Sequence, residues 1–201
     1  MKNVFKIATL ALAFAGISFA AKAQTSTTAT TTTNGGIRYS IGVETGIPVG
    51  TFNDSRKWNL GGSVQADIPV ASQLFVTVNA GFNNHFGETL TGLVGGTSSS
   101  VKVPSVQLIP VKAGLKFFPV ANFYVQGEAG AAFLLNKSDF FNDKSVAFVY
   151  APQVGVQFPV SASGNFIDAG IRYEATTKYS SVAGADGSKV NFLGLRLAYG
   201  F

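Results

Sequence analysis

The chain has 201 residues, a formal charge of +5, a single histidine and no cysteine. Without cysteine there is neither a disulfide framework nor a thiolate nucleophile, and one histidine alone offers no metal-ligand cluster. Lys2, Lys6 and Lys22 lie in the amino-terminal segment, so the remainder carries only +2, which leaves no basic footprint for nucleic acid.

Lys2 and Lys6 open the chain, Ile7 to Ala20 is free of charge, and Ala21-Lys22-Ala23 is a small-x-small cleavage site before Gln24. This is the pattern of a secretory signal peptide over 1–23. The uncharged run is shorter than the ~20 residues a spanning helix needs. Residues 24–36 (QTSTTATTTTNGG) hold almost no apolar bulk to offset the entropy of ordering. They are expected to form a Thr-rich flexible leader.

From Ile37 onward the hydrophobic period is two, with turn chemistry between segments. Eight strands are expected: Ile37–Ile47, Trp58–Ile68, Leu74–Asn83, Val106–Phe118, Phe123–Leu134, Val146–Phe158, Phe166–Glu174 and Val190–Phe201. Most reach the ~9–11 residues of a tilted membrane-spanning strand. The connections alternate in length: 69–73, 119–122 and 159–165 are short, whereas 48–57, 84–105, 136–145 and 175–189 are long. Short turns on one side and long loops on the other belong to outer-membrane barrels with both termini periplasmic. Ile68-Pro69-Val70, Phe118-Pro119-Val120 and Phe158-Pro159-Val160 are one reused corner, since proline ends a ladder. In the fourth strand the apolar phase changes at Pro110, where a β-bulge is expected.

Assigning each strand its apolar phase puts every strand charge on the opposite phase. Five are positive (Arg38, Lys112, Lys116, Arg172, Arg196) and five negative (Glu44, Asp67, Glu128, Asp168, Glu174). A basic side chain facing lipid near the midplane costs about 2–4 kcal/mol, so the charges are expected to face the lumen. Most strand glycines share that phase. Aromatics gather near both ends of the apolar face: Tyr39, Phe117, Phe123, Phe158, Tyr199 and Phe201 at the turn side, and Trp58, Phe82, Phe133, Phe148 and Tyr173 at the loop side. Two such bands suit two membrane interfaces. The last strand places Leu193, Leu195, Leu197, Tyr199 and Phe201 on one face and ends on the aromatic.

On strand number, loop alternation and this carboxy-terminal strand, the segment 37–201 resembles the small eight-stranded outer-membrane barrels, the OmpX-like proteins and the transmembrane half of OmpA-like proteins. The fold expected is all-β, an eight-stranded antiparallel up-and-down transmembrane β-barrel in a single domain, located in the bacterial outer membrane. The resemblance implies that Leu197, Tyr199 and Phe201 form an assembly signal read by the barrel-assembly machinery. Nothing follows Phe201 in this sequence, so the peptidoglycan-binding domain of full OmpA-like proteins is not expected.

An eight-stranded lumen is just filled by side chains, and ten charges inside it should pair, because an unpaired buried charge costs several kcal/mol. Lys112 with Glu128 is the best expected pair, and Arg196 is expected to reach Glu44 or Glu174. This favours a plugged barrel presenting four surface loops, a monomer in outer-membrane lipid with a structural or adhesive role and an external partner that the loops do not name. Two rivals are a narrow small-solute pore and a lipid-A-modifying enzyme. The enzyme reading rests on His85, in Asn83-Asn84-His85-Phe86-Gly87, with Ser98, Ser99 and Ser100 later in the same expected loop. No catalytic signature surrounds it, so a solvated loop histidine is expected, with no catalytic, cofactor or metal residues. Asp139 and Asp143 lack the spacing of a Ca²⁺ loop.

Overall fold

The computed structural model describes residues 36–54, 56–94, 97–136, 144–179 and 189–201. The signal peptide expected over 1–23, the leader expected over 24–36 apart from Gly36, and parts of the loop-side connections lie outside the described residues.

In chain order the strands are β1 (Arg38–Pro48), β2 (Arg56–Ala71), β3 (Leu74–Gly87), β4 (Thr89–Val94), β5 (Thr97–Lys102), β6 (Val106–Val120), β7 (Phe123–Leu134), β8 (Val146–Pro159), β9 (Phe166–Thr176) and β10 (Asn191–Gly200). Eight of them close a barrel in the order β1-β10-β9-β8-β7-β6-β3-β2, while β4 and β5 pair only with each other. Every pairing is antiparallel. The seam runs from Ser40↔Gly200 to Pro48↔Phe192. Tyr39 and Phe201 extend it, each donating its N–H to the other's carbonyl at 3.0 and 2.8 Å. A wall closed in this way has no strand edge.

The wall alternates because the sequence does. On β10, Phe192, Gly194, Arg196, Ala198 and Gly200 are buried, whereas Leu193, Leu195, Leu197, Tyr199 and Phe201 are exposed. The same pattern puts Ile41, Val43, Val64, Leu115, Val125, Val154 and Ile171 outside. An outward face this apolar has only hydrocarbon as a compatible surround. The turn-side band (Tyr39, Phe117, Phe123, Phe158, Tyr199, Phe201) is exposed throughout, as are Trp58, Phe82 and Phe148 at the loop side; Phe133 and Tyr173 are half-buried.

Three expectations are corrected. The bulge expected at Pro110 is absent. Pairing with β7 runs straight through Pro110↔Ala132, and pairing with β3 stops at Ala80↔Val111 and resumes in the same register at Asn83↔Leu108. Losing one N–H removes a rung without adding a residue. Irregularities sit instead between Pro69 and Ala71, between Phe117 and Val120 around Pro119, and between Arg56 and Trp58 at the start of β2. All three are at strand ends, where a bulge costs little pairing. Secondly, the long connection expected over 84–105 is mostly ordered: β3 continues to Gly87 and the β4–β5 hairpin follows. Thirdly, His85 is neither on a loop nor solvated. It lies on β3, opposite Val106 and Asn59, with no exposed surface. The pleat that turns Asn83 inward turns His85 inward too.

Candidate functional site: the barrel lumen

The interior is layered along the axis. At the turn side Arg38 enters the lumen from the first residue of β1 and its guanidinium lies over three rings, 4.2 Å from Phe75, 5.2 Å from Phe166 and 5.7 Å from Phe118. Cation–π contact and the 3.5 Å pair with Asp67, its register partner on β2, hold it there.

From Arg38 upward the ten charges expected in the lumen form one connected chain of alternating sign. Asp67 accepts from Lys116 at 2.8 Å, and Lys116 lies 3.7 Å from Asp168. Asp168 meets Arg196 at 3.2 Å, and Arg196 lies 3.6 Å from Glu44, its register partner on β1. Glu44 accepts from Arg172 at 2.9 Å, and Arg172 lies 3.5 Å from Glu128 and 3.9 Å from Glu174. Lys112 ends the chain, 3.8 Å from Glu128 and in closer contact with Glu174. Apart from Arg38, each of these residues is 5% exposed or less. The anticipated Lys112–Glu128 contact is thus the longer of two, and Arg196 has Asp168 as a partner the sequence did not suggest.

Two of these contacts cross the lumen. Lys112 and Glu174 stand on β6 and β9, separated along the wall by β7 and β8 one way and by four strands the other. Lys116 and Asp168 stand on the same two strands. Neutral polar side chains occupy the remaining valences: Gln65 donates to Asp67 at 2.7 Å, Gln157 and Tyr124 to Asp168 at 2.8 and 2.9 Å, Ser63 to Glu44 at 2.6 Å and Thr77 to Glu128 at 3.1 Å. These residues were missed by reading charges alone. Their signal was present, because each shares its strand's inward phase with a charge or a glycine.

Inward glycines make room for inward rings. A Cβ on Gly200 would strike the Phe166 ring, one on Gly170 would lie 2.8 Å from the Tyr124 hydroxyl, and one on Gly194 would lie 3.1 Å from the Phe192 ring. The narrow lumen therefore accepts aromatics where a glycine on the same strand, the next one or the one beyond gives up its side chain.

At the loop side the interior becomes apolar. Phe52, Val106, Leu108, Ala132, Leu134, Ala147, Val149, Tyr179, Val190 and Phe192 form one buried cluster. Phe52 comes from a 3-10 helix (Gly50–Asp54), and Tyr179, beyond the end of β9, donates its hydroxyl to the Ala132 carbonyl at 3.2 Å. Burial, and secondarily the Glu174 carboxylate, push the Tyr179 pKa up, so the hydroxyl stays a neutral donor. The phase change at Pro110 now has its cause: Val106 and Leu108 face inward as the charged lumen gives way to this cluster. His85 sits among these residues, its ring edge-on to Phe52 at 5.3 Å and Phe192 at 5.1 Å. Neither of its nitrogens has a hydrogen-bond partner; the side chains of Ser98 and Ser99, considered with it for catalysis, lie outside the described ones. Among the described residues no group of three or more His, Cys, Asp or Glu could hold a metal ion.

No protein-family model matches the chain, and no curated protein matches it. Solved structures similar to it include the outer membrane protein OprG of Pseudomonas aeruginosa, 13% identical over 82% of this chain and 95% of that one, with a TM-score of 0.49. Ail, the attachment invasion locus protein of Yersinia pestis, determined in a phospholipid bilayer nanodisc, is 18% identical over 82% of this chain and 99% of that one, with a TM-score of 0.47. A de novo designed transmembrane β-barrel is 14% identical over 85% of this chain and 98% of that one, with a TM-score of 0.40. The closed wall, the outward apolar belt between two aromatic bands and the charged interior are properties of this chain itself, and by them it is an eight-stranded transmembrane β-barrel.

Proposed function

We propose that this protein is a non-enzymatic, monomeric barrel of the bacterial outer membrane. Both termini face the periplasm, and the loop-side connections, including the β4–β5 hairpin, are presented outside for structural or adhesive contacts. The barrel anchors and the loops do the contacting, while the lumen is plugged. The observation carrying this reading is the chain of charges with its two contacts across the lumen, Lys112 to Glu174 and Lys116 to Asp168. Partnered charges on facing walls leave no continuous water path, and eight strands enclose little beyond their own side chains. The signal peptide expected over 1–23 supports export, and Leu197 and Tyr199, outward on β10, with Phe201 just past its end, are the residues the assembly machinery would read.

Conductance tests the reading. Purified protein reconstituted into planar bilayers is expected to show little steady current. Large, stable channels from the wild type would overturn the plugged barrel and favour a small-solute pore.

A further inference from the structure

Five polar atoms at the loop-side end of the lumen have no hydrogen-bond partner: Asn59 Oδ1 and Nδ2, Asn83 Oδ1, and His85 Nδ1 and Nε2. The side chains that carry them are 1% exposed or less. Asn59 is the register partner of His85, and Asn83 is the next inward position of β3, so the three form one patch on the wall. Buried polar groups are ordinarily paired. Five on one patch are unspent donors and acceptors, with Asn83 Oδ1 beside Gly61 and Asn59 Oδ1 beside Gly46, where those glycines leave room on the wall.

Their chemistry defines what they would hold. Asn59 presents a donor and an acceptor on one planar edge, which is complementary to the edge of another amide. A neutral imidazole adds one donor and one acceptor, and Asn83 adds an acceptor. The flank is apolar, with Phe52 and Phe192 edge-on to His85 and Leu108, Ala132 and Val149 in the same cluster. Arg56 is buried nearby, its guanidinium 5.7 Å from the Phe52 ring, and its positive charge opposes a metal ion or an amine. Phe52, which touches His85, and Tyr179, in the same cluster as Phe52, come from outside the barrel strands.

We propose that Asn59, Asn83 and His85 form a binding site, at the loop-side end of the lumen, for a small uncharged molecule with a carboxamide-like edge on an apolar body. This goes beyond the anchoring role and stands or falls independently of conductance.

Full-length protein folded in phospholipid nanodiscs and isotopically labelled is titrated with nicotinamide while the Asn side-chain amide and His85 ring signals are followed. The expected result is a saturable shift at Asn59, Asn83 and His85. Asn59→Ala, which removes both members of the edge, should weaken binding by about tenfold or more. Toluene, with an apolar body and no edge, should not saturate the site. Should Asn59→Ala fail to fold, Asn83→Ala provides the same comparison. No saturable shift up to the solubility of nicotinamide, equal affinity in variant and wild type, or side-chain signals that exchange with water alone would each overturn the proposal.

Discussion

Glu44 is the residue on which the two halves of the charge chain meet: it faces Arg172 at 2.9 Å and Arg196 at 3.6 Å. Neutralising it leaves both guanidinium groups short of an anion inside the wall and the lumen with one excess positive charge. Glu44→Gln should therefore lower folded stability by about 3–5 kcal/mol, the range for a broken buried pair. Urea unfolding in lipid vesicles would measure this. Glu128→Ala should cost less, because its contacts to Lys112 and Arg172, at 3.8 and 3.5 Å, are the looser ones and both cations keep Glu174; the reverse ranking would mean that the chain is not shared as the distances indicate. A different test belongs to the glycines. Gly200 faces Phe166 in register, and its missing Cβ is the space the ring uses. Gly200→Ala is expected to cost about 1–3 kcal/mol through overpacking, and Phe166→Leu in the same chain should recover part of that loss. The coupling is read from a double-mutant cycle on unfolding free energies.

The strands were legible because each obeys one rule, alternation, over ten or more residues. All eight expected boundaries at the turn side fall within three residues of those observed, since proline and short polar turns stop the ladder there. The loop side was less legible. β3 runs on to Gly87 although Asn83-Asn84-His85 has the composition of a loop, and its pleat is maintained by pairing with β2, a long-range partner that a local reading does not contain. The ten charges could be placed by phase alone, as could the contacts of Lys112 with Glu128 and Arg196 with Glu44, but not the others, because contacts such as Lys112 with Glu174 depend on which strands face each other across the lumen. β6 shows the same limit. Its change of apolar phase was visible, whereas its cause, an interior that turns apolar toward the loops, required the other seven strands. For β10, truncation separates assembly from stability. Phe201 is 61% exposed on the protein alone, so its deletion removes little packing within the barrel. Deleting it is expected to reduce the amount of protein in the outer membrane while leaving the unfolding midpoint of refolded protein nearly unchanged. Normal outer-membrane levels would remove the assembly role from this residue.

At the scale of the whole molecule the two ends of the barrel are chemically unlike, with a hairpin and long connections at one and tight turns at the other. Ser100 in β5 and Ala121 in the turn between β6 and β7 are both exposed. A cysteine at position 100 should react with an impermeant thiol reagent on intact cells, and one at position 121 only after the outer membrane is opened; labelling of position 121 alone would invert the orientation. The seam between β1 and β10 bears on more than geometry. Hydrocarbon offers no partner to a bare N–H or C=O, so a wall of seven strands carries two edges whose unpaired groups each cost several kcal/mol, however well the rest is packed. β10 removes both edges at once. In genetic terms the barrel has no permissive terminus upstream of Asn191: a stop codon just before β10 is expected to be as complete a loss as one just after β1.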